Sequence, residues 1–402
     1  MDFIKNIISA NQKINQKTLR LKLKTTLFVS VIAIIFFTSL VGIVCLLGFK
    51  VLNDKGVESQ SEMARTLASA IDSTIEKQFE LLKLNANSQF VIDALKFENL
   101  KYRTRSERET QRYLMDIDKR WIEASNEHPF IKDYLENNLS RKLKGLKLDE
   151  EKLISVTVTD KFGGLVAATT RPSGFYSFDR DWWLGAYAKG RGKPFVGNVE
   201  YDEENNLWCL PFAVPIEDET RSVIGVYKAT INLDTFFKPL LNFKLGKTGN
   251  AVLADDKAYL VYHSKALPFA NKFCEYEEFQ RTLQNSEKWG VLGSAYLNRG
   301  KMLVAYAQVN QANLSAKGIK WFVFVERDLN EIFAPLNKLI FIVVLIGIAL
   351  VIILALAVFI LSGQESGGSI LQVIKETPVV KTEDQNYSPT EERAKRLLKE
   401  NE

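Results

Sequence analysis

Residues 153–170 read LISVTVTDKFGGLVAATT. Ile154, Val156 and Val158 alternate up to the turn residues DKFGG, after which a second apolar run begins. A period of two followed by Gly-rich punctuation predicts a β-hairpin. The pattern then recurs. VTVTDKFGGLVAAT (156–169) aligns with VLADDKAYLVYHS (252–264) at an offset of 95, placing Asp160 on Asp255, Leu165 on Leu260 and Val166 on Val261. LDTFFKPL (233–240) aligns with LNEIFAPL (329–336) at an offset of 96. Two matches in one order at nearly one spacing predict tandem α/β modules, each opening on a hairpin and closing on a strand followed by a helix. The first spans 150–246 and the second 247–337. LWCLPFAVPI, SVIGVYKATINL and IKWFVFVERDL read as further strands.

Upstream the period changes to that of a helix. Leu67, Ile71, Ile75, Phe79 and Leu82 recur at steps of four and three, predicting one long helix from about residue 55 to 95. Leu114, Ile117 and Trp121 mark a second helical pattern, and Ile131, Leu135, Leu139 and Leu143 a third. Together they fill residues 50–149 ahead of the first module.

Two uncharged stretches bracket all of this. Thr25–Phe49 has 25 residues without a charge and Leu339–Leu361 has 23. As helices each would run about 35 Å, enough for the ~30 Å hydrocarbon layer. The first exceeds the apolar core of a signal peptide and reads as an uncleaved anchor. Residues 1–24 carry Lys5, Lys13, Lys17, Arg20, Lys22 and Lys24 against Asp2, which predicts a cytoplasmic N-terminus. Transmembrane helices at 25–49 and 338–363 would then leave both termini in the cytoplasm and the segment between them outside. The net charge of +5 is modest and spread out, and gives little support to nucleic-acid binding. Of three cysteines, Cys45 falls in the first apolar stretch, while Cys209 and Cys274 are either a bridged pair or two small buried hydrophobes.

A long helix leaving a membrane, two PAS-like modules and a returning helix resemble a double Cache domain, the extracytoplasmic sensor of many bacterial chemoreceptors, histidine kinases and cyclases. The resemblance covers about residues 55–337. Its most specific part runs from FDRDWWLGAYAKGRGKPFVGNVEYDEENNLWCLPFAVPI (178–216) to IGVYKATINL (224–233), and GKTGNAVLADD (246–256) is similar to the opening of the membrane-proximal module. The resemblance implies an α+β fold with antiparallel sheets, a periplasmic or extracellular sensor in the plasma membrane, and a small-molecule ligand in the distal module. It also implies a homodimer along the first helix.

The resemblance further implies site residues. Phe175 stands at the aromatic position, Arg180 with Trp182 and Trp183 match the Arg and aromatic pair, and Asp202 matches the turn Asp. Glu200 occupies the place of the turn Tyr, with Tyr201 shifted by one, and Thr230 stands where a strand Asp would bind an amino group. Losing that carboxylate removes the main counter-charge for an α-ammonium, so a small organic acid or similar polar metabolite fits at least as well as an amino acid. Lys228 either points into the pocket or is an edge-strand lysine. An adjacent Trp pair in an extended segment puts one ring in the core and the other outward. Arg180 and Asp181 read equally as solvated charges, and EYDEENN (200–206) as a hydrophilic hairpin turn without EF-hand spacing.

No enzyme motif appears: no HExxH, Walker loop, G-x-S-x-G elbow or dinucleotide fingerprint. His128 and His263 lie in no metal-ligand spacing, GRGKPFVG reads as a loop entering a strand, and no cofactor or metal is expected. Residues 364–402 begin with a Gly/Ser linker and end in SPTEERAKRLLKENE, a capped short helix by pattern. HAMP-like, kinase and cyclase segments are absent from this tail. The expected function is therefore a sensor that signals through its second span to a separate membrane or cytoplasmic partner. A non-signalling envelope binding or scaffold protein, and a truncated chemoreceptor or kinase-type sensor, are the alternatives.

Overall fold

The computed structural model describes residues 2–263, 265–293, 300–310 and 320–375. The chain divides into a unit of Leu47–Leu336, which holds both sheets, and a unit made by the two ends, Met1–Leu46 with Asn337–Glu402.

Helix α1 spans Asp2–Ala86. Its stripe of Ala64, Ala68, Ile71, Ile75, Phe79 and Leu82 is buried in the largest core cluster, each large side chain contributing roughly 1.5–3 kcal/mol of burial. The helix does not run on to residue 95. It breaks at Asn87–Ser88, where Ser88 takes extended backbone angles and its hydroxyl donates to the Asn85 carbonyl (2.9 Å). Helix α2 (Gln89–Leu100) then returns Val91, Ile92 and Leu95 to the same core. Helix α3 (Glu107–Glu123) starts at a capping box built by Ser106 and Glu109. The third pattern is two helices, α4 (Pro129–Leu135) and α5 (Asn138–Asp149). Asn137 divides them: its side-chain Oδ1 accepts from Ser140 N (2.8 Å), and its side-chain Nδ2 donates to the Val166 carbonyl (2.9 Å).

The first sheet is antiparallel, in the order β2-β1-β6-β5-β3 with β4 also paired to β5. Its strands are β1 (Leu153–Asp160), β2 (Leu165–Ala168), β3 (Phe195–Val196), β4 (Glu200–Asp202), β5 (Leu207–Glu217) and β6 (Val223–Asn232). Helix α6 (Asp181–Tyr187) lies between β2 and β3, and α7 (Leu233–Phe236) and α8 (Lys238–Leu241) follow β6. The second sheet has the order β8-β7-β11-β10-β9, all antiparallel. Its elements are β7 (Asn250–Asp255), β8 (Leu260–Tyr262), α9 (Tyr276–Gln284), β9 (Trp289–Leu292), β10 (Met302–Gln308) and β11 (Trp321–Asp328). In each sheet the hairpin strand pairs with the closing strand, and the closing strand with the one before it. The repeat extends to single hydrogen bonds. Asp160 Oδ1 accepts from Phe162 N (2.8 Å) and Gly164 N (2.9 Å), while Asp255 Oδ1 accepts from Lys257 N (3.0 Å) and Tyr259 N (2.8 Å).

The two closing segments diverge. After β6, α7 stops at Phe236 and Pro239 sits at the start of α8. After β11, α10 (Leu329–Lys375) continues through Pro335. The apolar stretches of α1 and α10 are long and apolar enough to cross a membrane, with best-window mean hydropathies of 2.8 and 3.6. Within the end-built unit, Phe37 fills a notch at Gly347, where a Cβ would stand 2.2 Å from its ring. Cys209 and Cys274 are free and lie buried in the first and second sheet modules respectively, so the bridged alternative is not found. Burial pushes both thiols up. The terminal helix expected near the end of the 364–402 tail falls outside the described residues.

Candidate functional site

Strand alternation divides the first sheet into two unlike faces. Val156, Val158, Leu210, Phe212, Val214, Tyr227, Ala229 and Ile231 pack toward the α1 stripe. The opposite face carries Ser155, Thr157 and Thr159 from β1, Val226, Lys228 and Thr230 from β6, and Cys209, Pro211 and Ala213 from β5. Register aligns Thr157 with Lys228 and Ala213, and Ser155 with Thr230 and Pro211. This face is polar at its centre. Its counterpart in the second sheet is not: Val252 pairs with Phe324, and Phe324 is packed by Phe273, Phe279 and Tyr306. An aromatic core fills there the space that the first sheet gives to hydroxyls and an ammonium.

Helix α6 covers part of the polar face. Arg180 precedes it in extended conformation and Asp181 sits in its first turn, where a carboxylate suits the helix N-terminus. The tryptophan pair is therefore helical rather than extended, yet its two rings still part. Trp183 is 2 % exposed and packs with Ala186, Phe195, Ala213 and Val226. It stacks on Tyr187, with centroids 4.6 Å apart. Its indole N–H has no acceptor among the described residues. Close approach of α6 depends on Gly185, where a Cβ would stand 2.2 Å from the Phe195 ring.

Trp182 is half-buried, and the Lys228 ammonium lies 5.3 Å from its ring centroid, within cation–π range. Burial lowers the Lys228 pKa; Glu200, Cys209 and Asp202 oppose that shift, while Arg180 adds to it. Lys228 is not an edge-strand lysine. Its strand is hydrogen-bonded on both sides, to β1 and to β5, and the residue itself is half-buried.

The remaining candidates are placed elsewhere. Phe175 is buried against Trp121, Phe130 and Tyr134, in a cluster between the helices and β2. Arg180 is directed into an outer cleft of about 520 Å³, lined by Arg112, Asp116, Lys119, Tyr176 and Phe178 among others. Tyr201 is exposed, with its hydroxyl on Asn206 and its ring edge-on to Trp208. Asp202 closes the 202–206 turn, accepting from Asn205 N (2.9 Å) and Asn205 Nδ2 (3.0 Å). Thr230 is buried beside Lys228 on β6. The structure thus gathers Trp182, Trp183, Lys228 and Thr230 at one face, with Asp202 acting on Lys228 through space. Ser155, Thr157, Glu200 and Cys209 share that face. The alternation of SVTVT would have revealed the first two. His128 caps α4 through Nδ1, accepting from Phe130 N (3.1 Å), and His263 is buried after β8. Among the described residues no group of His, Cys, Asp and Glu could hold a metal ion.

A Cache domain family model matches residues 52–336. The chain belongs to the Cache domain family. As a Cache protein it is similar to the ligand-binding domain of the Pseudomonas aeruginosa PAO1 amino acid chemoreceptor PctC in complex with GABA. Identity is 16%, coverage 66% of this chain and 97% of that one, and the TM-score 0.41. The ligand-binding domain of the PAO1 amino acid chemoreceptor PctB with L-Arg gives 14%, 69%, 98% and 0.41 for the same quantities. That of the Pseudomonas fluorescens chemoreceptor CtaA with L-isoleucine gives 14%, 71%, 97% and 0.45. No curated protein matches this Cache sequence.

Proposed function

We propose that this Cache protein is a membrane-anchored sensor whose first module, residues 150–246, binds a small carboxylate on the face carrying Lys228. One observation carries the ligand class: a half-buried ammonium on a central strand, lying under the Trp182 ring and flanked by Thr157 and Thr230. A carboxylate there would gain charge-assisted hydrogen bonds, stronger than those between neutral groups. The 247–337 module offers Phe324 at the equivalent position and serves as the relay. Spans at 25–49 and 338–363, with both termini cytoplasmic, follow from the apolar stretches and the basic flank of residues 1–24. A homodimer along α1 and a separate membrane or cytoplasmic partner complete the reading. The sensor reading is favoured over a scaffold by continuity: β11 ends at Asp328 and α10 begins at Leu329.

The test is a thermal-shift and calorimetric screen of the full-length protein in nanodiscs against small mono- and dicarboxylates, their amides and free amino acids. A carboxylate at 100 times its Kd should stabilise by about 2.7 kcal/mol. Lys228→Met should weaken binding about 10–100-fold, the loss expected for one charged hydrogen bond. Trp182→Ala should weaken it by several-fold. A ligand that binds Lys228→Met as tightly as the parent sinks the assignment.

A further inference from the structure

The junction between the second sheet and α10 is held by one carboxylate. Glu331 lies in the first turn of α10. Its Oε1 accepts from Lys247 N (3.0 Å) and Arg327 Nη2 (2.8 Å). Its Oε2 accepts from Thr248 N (2.8 Å) and Thr248 Oγ1 (2.5 Å). The Thr248 hydroxyl also accepts from Asp328 N (3.2 Å), the last residue of β11. Gly246 makes the loop possible: its φ is +66°, and a Cβ would stand 2.1 Å from Glu331 Oε1. The 246–248 loop leads into β7, which is itself paired with β11. Strand, loop and helix are thereby tied at one side chain.

Close contacts with α1 continue from the same turn. The Phe333 ring stacks on Phe49 at 4.2 Å and 9°. A Cβ on Gly56 would stand 3.2 Å from Leu303 and 3.6 Å from Ile332, and one on Gly48 2.6 Å from Leu336. In the setting held at Glu331 all three contacts are seated together. The internal repeat supplies the contrast. Thr235 occupies the position equivalent to Glu331, its N–H donates to the Asn232 side chain instead, and α7 ends one residue later. The carboxylate clamp belongs to the module whose closing helix continues into the apolar stretch.

We propose that Glu331 is a positioning residue that fixes the rotational setting of α10 against residues 48–56 of α1, so that movement of the second sheet reaches α10 through the 246–248 loop. This rests on the sensor reading above. Four donors converge on two oxygens, which gives the side chain direction as well as attraction. A loop shift of a fraction of an ångström would be felt at the first turn, because helices transmit rotation as rigid elements.

The test uses full-length protein in nanodiscs with Cys45→Ala and paired cysteines. The pair Phe49→Cys with Phe333→Cys lies on the contact face; Phe49→Cys with Ala334→Cys lies about 100° around the helix. Oxidative cross-linking should favour the first pair by about tenfold, within the usual range of a coupling between sites. Glu331→Gln and Thr248→Val should each bring that ratio to about one to threefold, and Thr248→Ser, which keeps the hydroxyl, should restore it. Val214→Ala, a destabilising cavity in the other sheet, should leave the ratio intact and so separates positioning from general loosening. A ratio unchanged by Glu331→Gln, or absent in the parent, overturns the proposal. Failure of the membrane topology registers separately, in intact cells rather than nanodiscs, as equal access of an impermeant maleimide to cysteines placed at residues 12 and 204.

Discussion

Truncating Trp121 to alanine should lower the free energy of unfolding by about 3–5 kcal/mol, the range for a fully buried large aromatic. Trp121 has no exposed surface, and Phe130, Tyr134 and Phe175 surround its ring at centroid distances of 6.0, 6.0 and 5.7 Å. The Arg171 guanidinium lies 5.4 Å from the same ring and donates to the Trp121 carbonyl. The indole N–H donates to the Pro172 carbonyl (2.9 Å), which truncation would leave without its partner. Residues 171–175 lead directly to Arg180 and α6, so the same substitution releases the start of the segment that places Trp182 over Lys228. Trp121→Phe should cost less than half as much, since it keeps the ring contacts and loses the hydrogen bond. Urea denaturation of the full-length protein in micelles reads both. A loss below about 1 kcal/mol for the alanine variant would mean that this cluster closes up around the cavity, contrary to close packing.

The two sheets were legible in the sequence because their signals are local and repeated. Asp160 and Asp255 make the same pair of turn hydrogen bonds. The helix breaks at Ser88 and Asn137 were harder. Apolar spacing runs across both, and each break is set by what the flanking side chain bonds: Ser88 the Asn85 carbonyl, Asn137 the Val166 carbonyl on β2. The second of these partners is distant in sequence. Strands β9 and β10 gave no reading, since Gly290 and the mixed residues near 292–302 obscure their period.

The candidate site was legible only where register decided it. Lys228 and Thr230 share a face by strand period alone, and the sheet order then makes that strand central. Family spacing grouped Phe175 and Arg180 with them, but spacing along a loop does not fix direction. Phe175 is drawn into the aromatic cluster of Trp121, and Arg180 opens toward α3. Glu200 was noted as a departure from the resemblance. Its electrostatic effect on Lys228 emerges only once β4 is laid beside β5.

Replacing Asp160 by asparagine should stabilise the protein at pH 7.5 by about 3 kcal/mol and have little effect at pH 4. Asp160 is 1 % exposed, and its pKa is raised from 3.8 to about 6. Burial is the largest cause; hydrogen bonds from Gly164, Phe162 and the Tyr102 hydroxyl oppose it, and the nearby Glu98 carboxylate adds to it. The sign follows from proton counts. Between about pH 4 and pH 6 the folded chain holds a proton that the unfolded chain has released, so stability falls as pH rises through that window. Above pH 6 the folded chain carries the buried carboxylate and the full cost is present; at 1.36 kcal/mol per pH unit the interval from 3.8 to about 6 gives about 3 kcal/mol. Asparagine keeps a carbonyl oxygen for the Phe162 and Gly164 N–H groups and cannot ionise. The repeat provides the control. Asp255 makes the equivalent bonds while only half-buried, and burial raises its pKa in the same direction. Asp255→Asn should therefore change stability with the same sign and by less than Asp160→Asn does, water still reaching part of its carboxylate. Thermal midpoints from pH 4 to pH 8 measure the contrast. If Asp160→Asn leaves the slope of that profile unchanged, the carboxylate is not ionising in a dry site, and the Tyr102 hydroxyl is holding it charged at no cost.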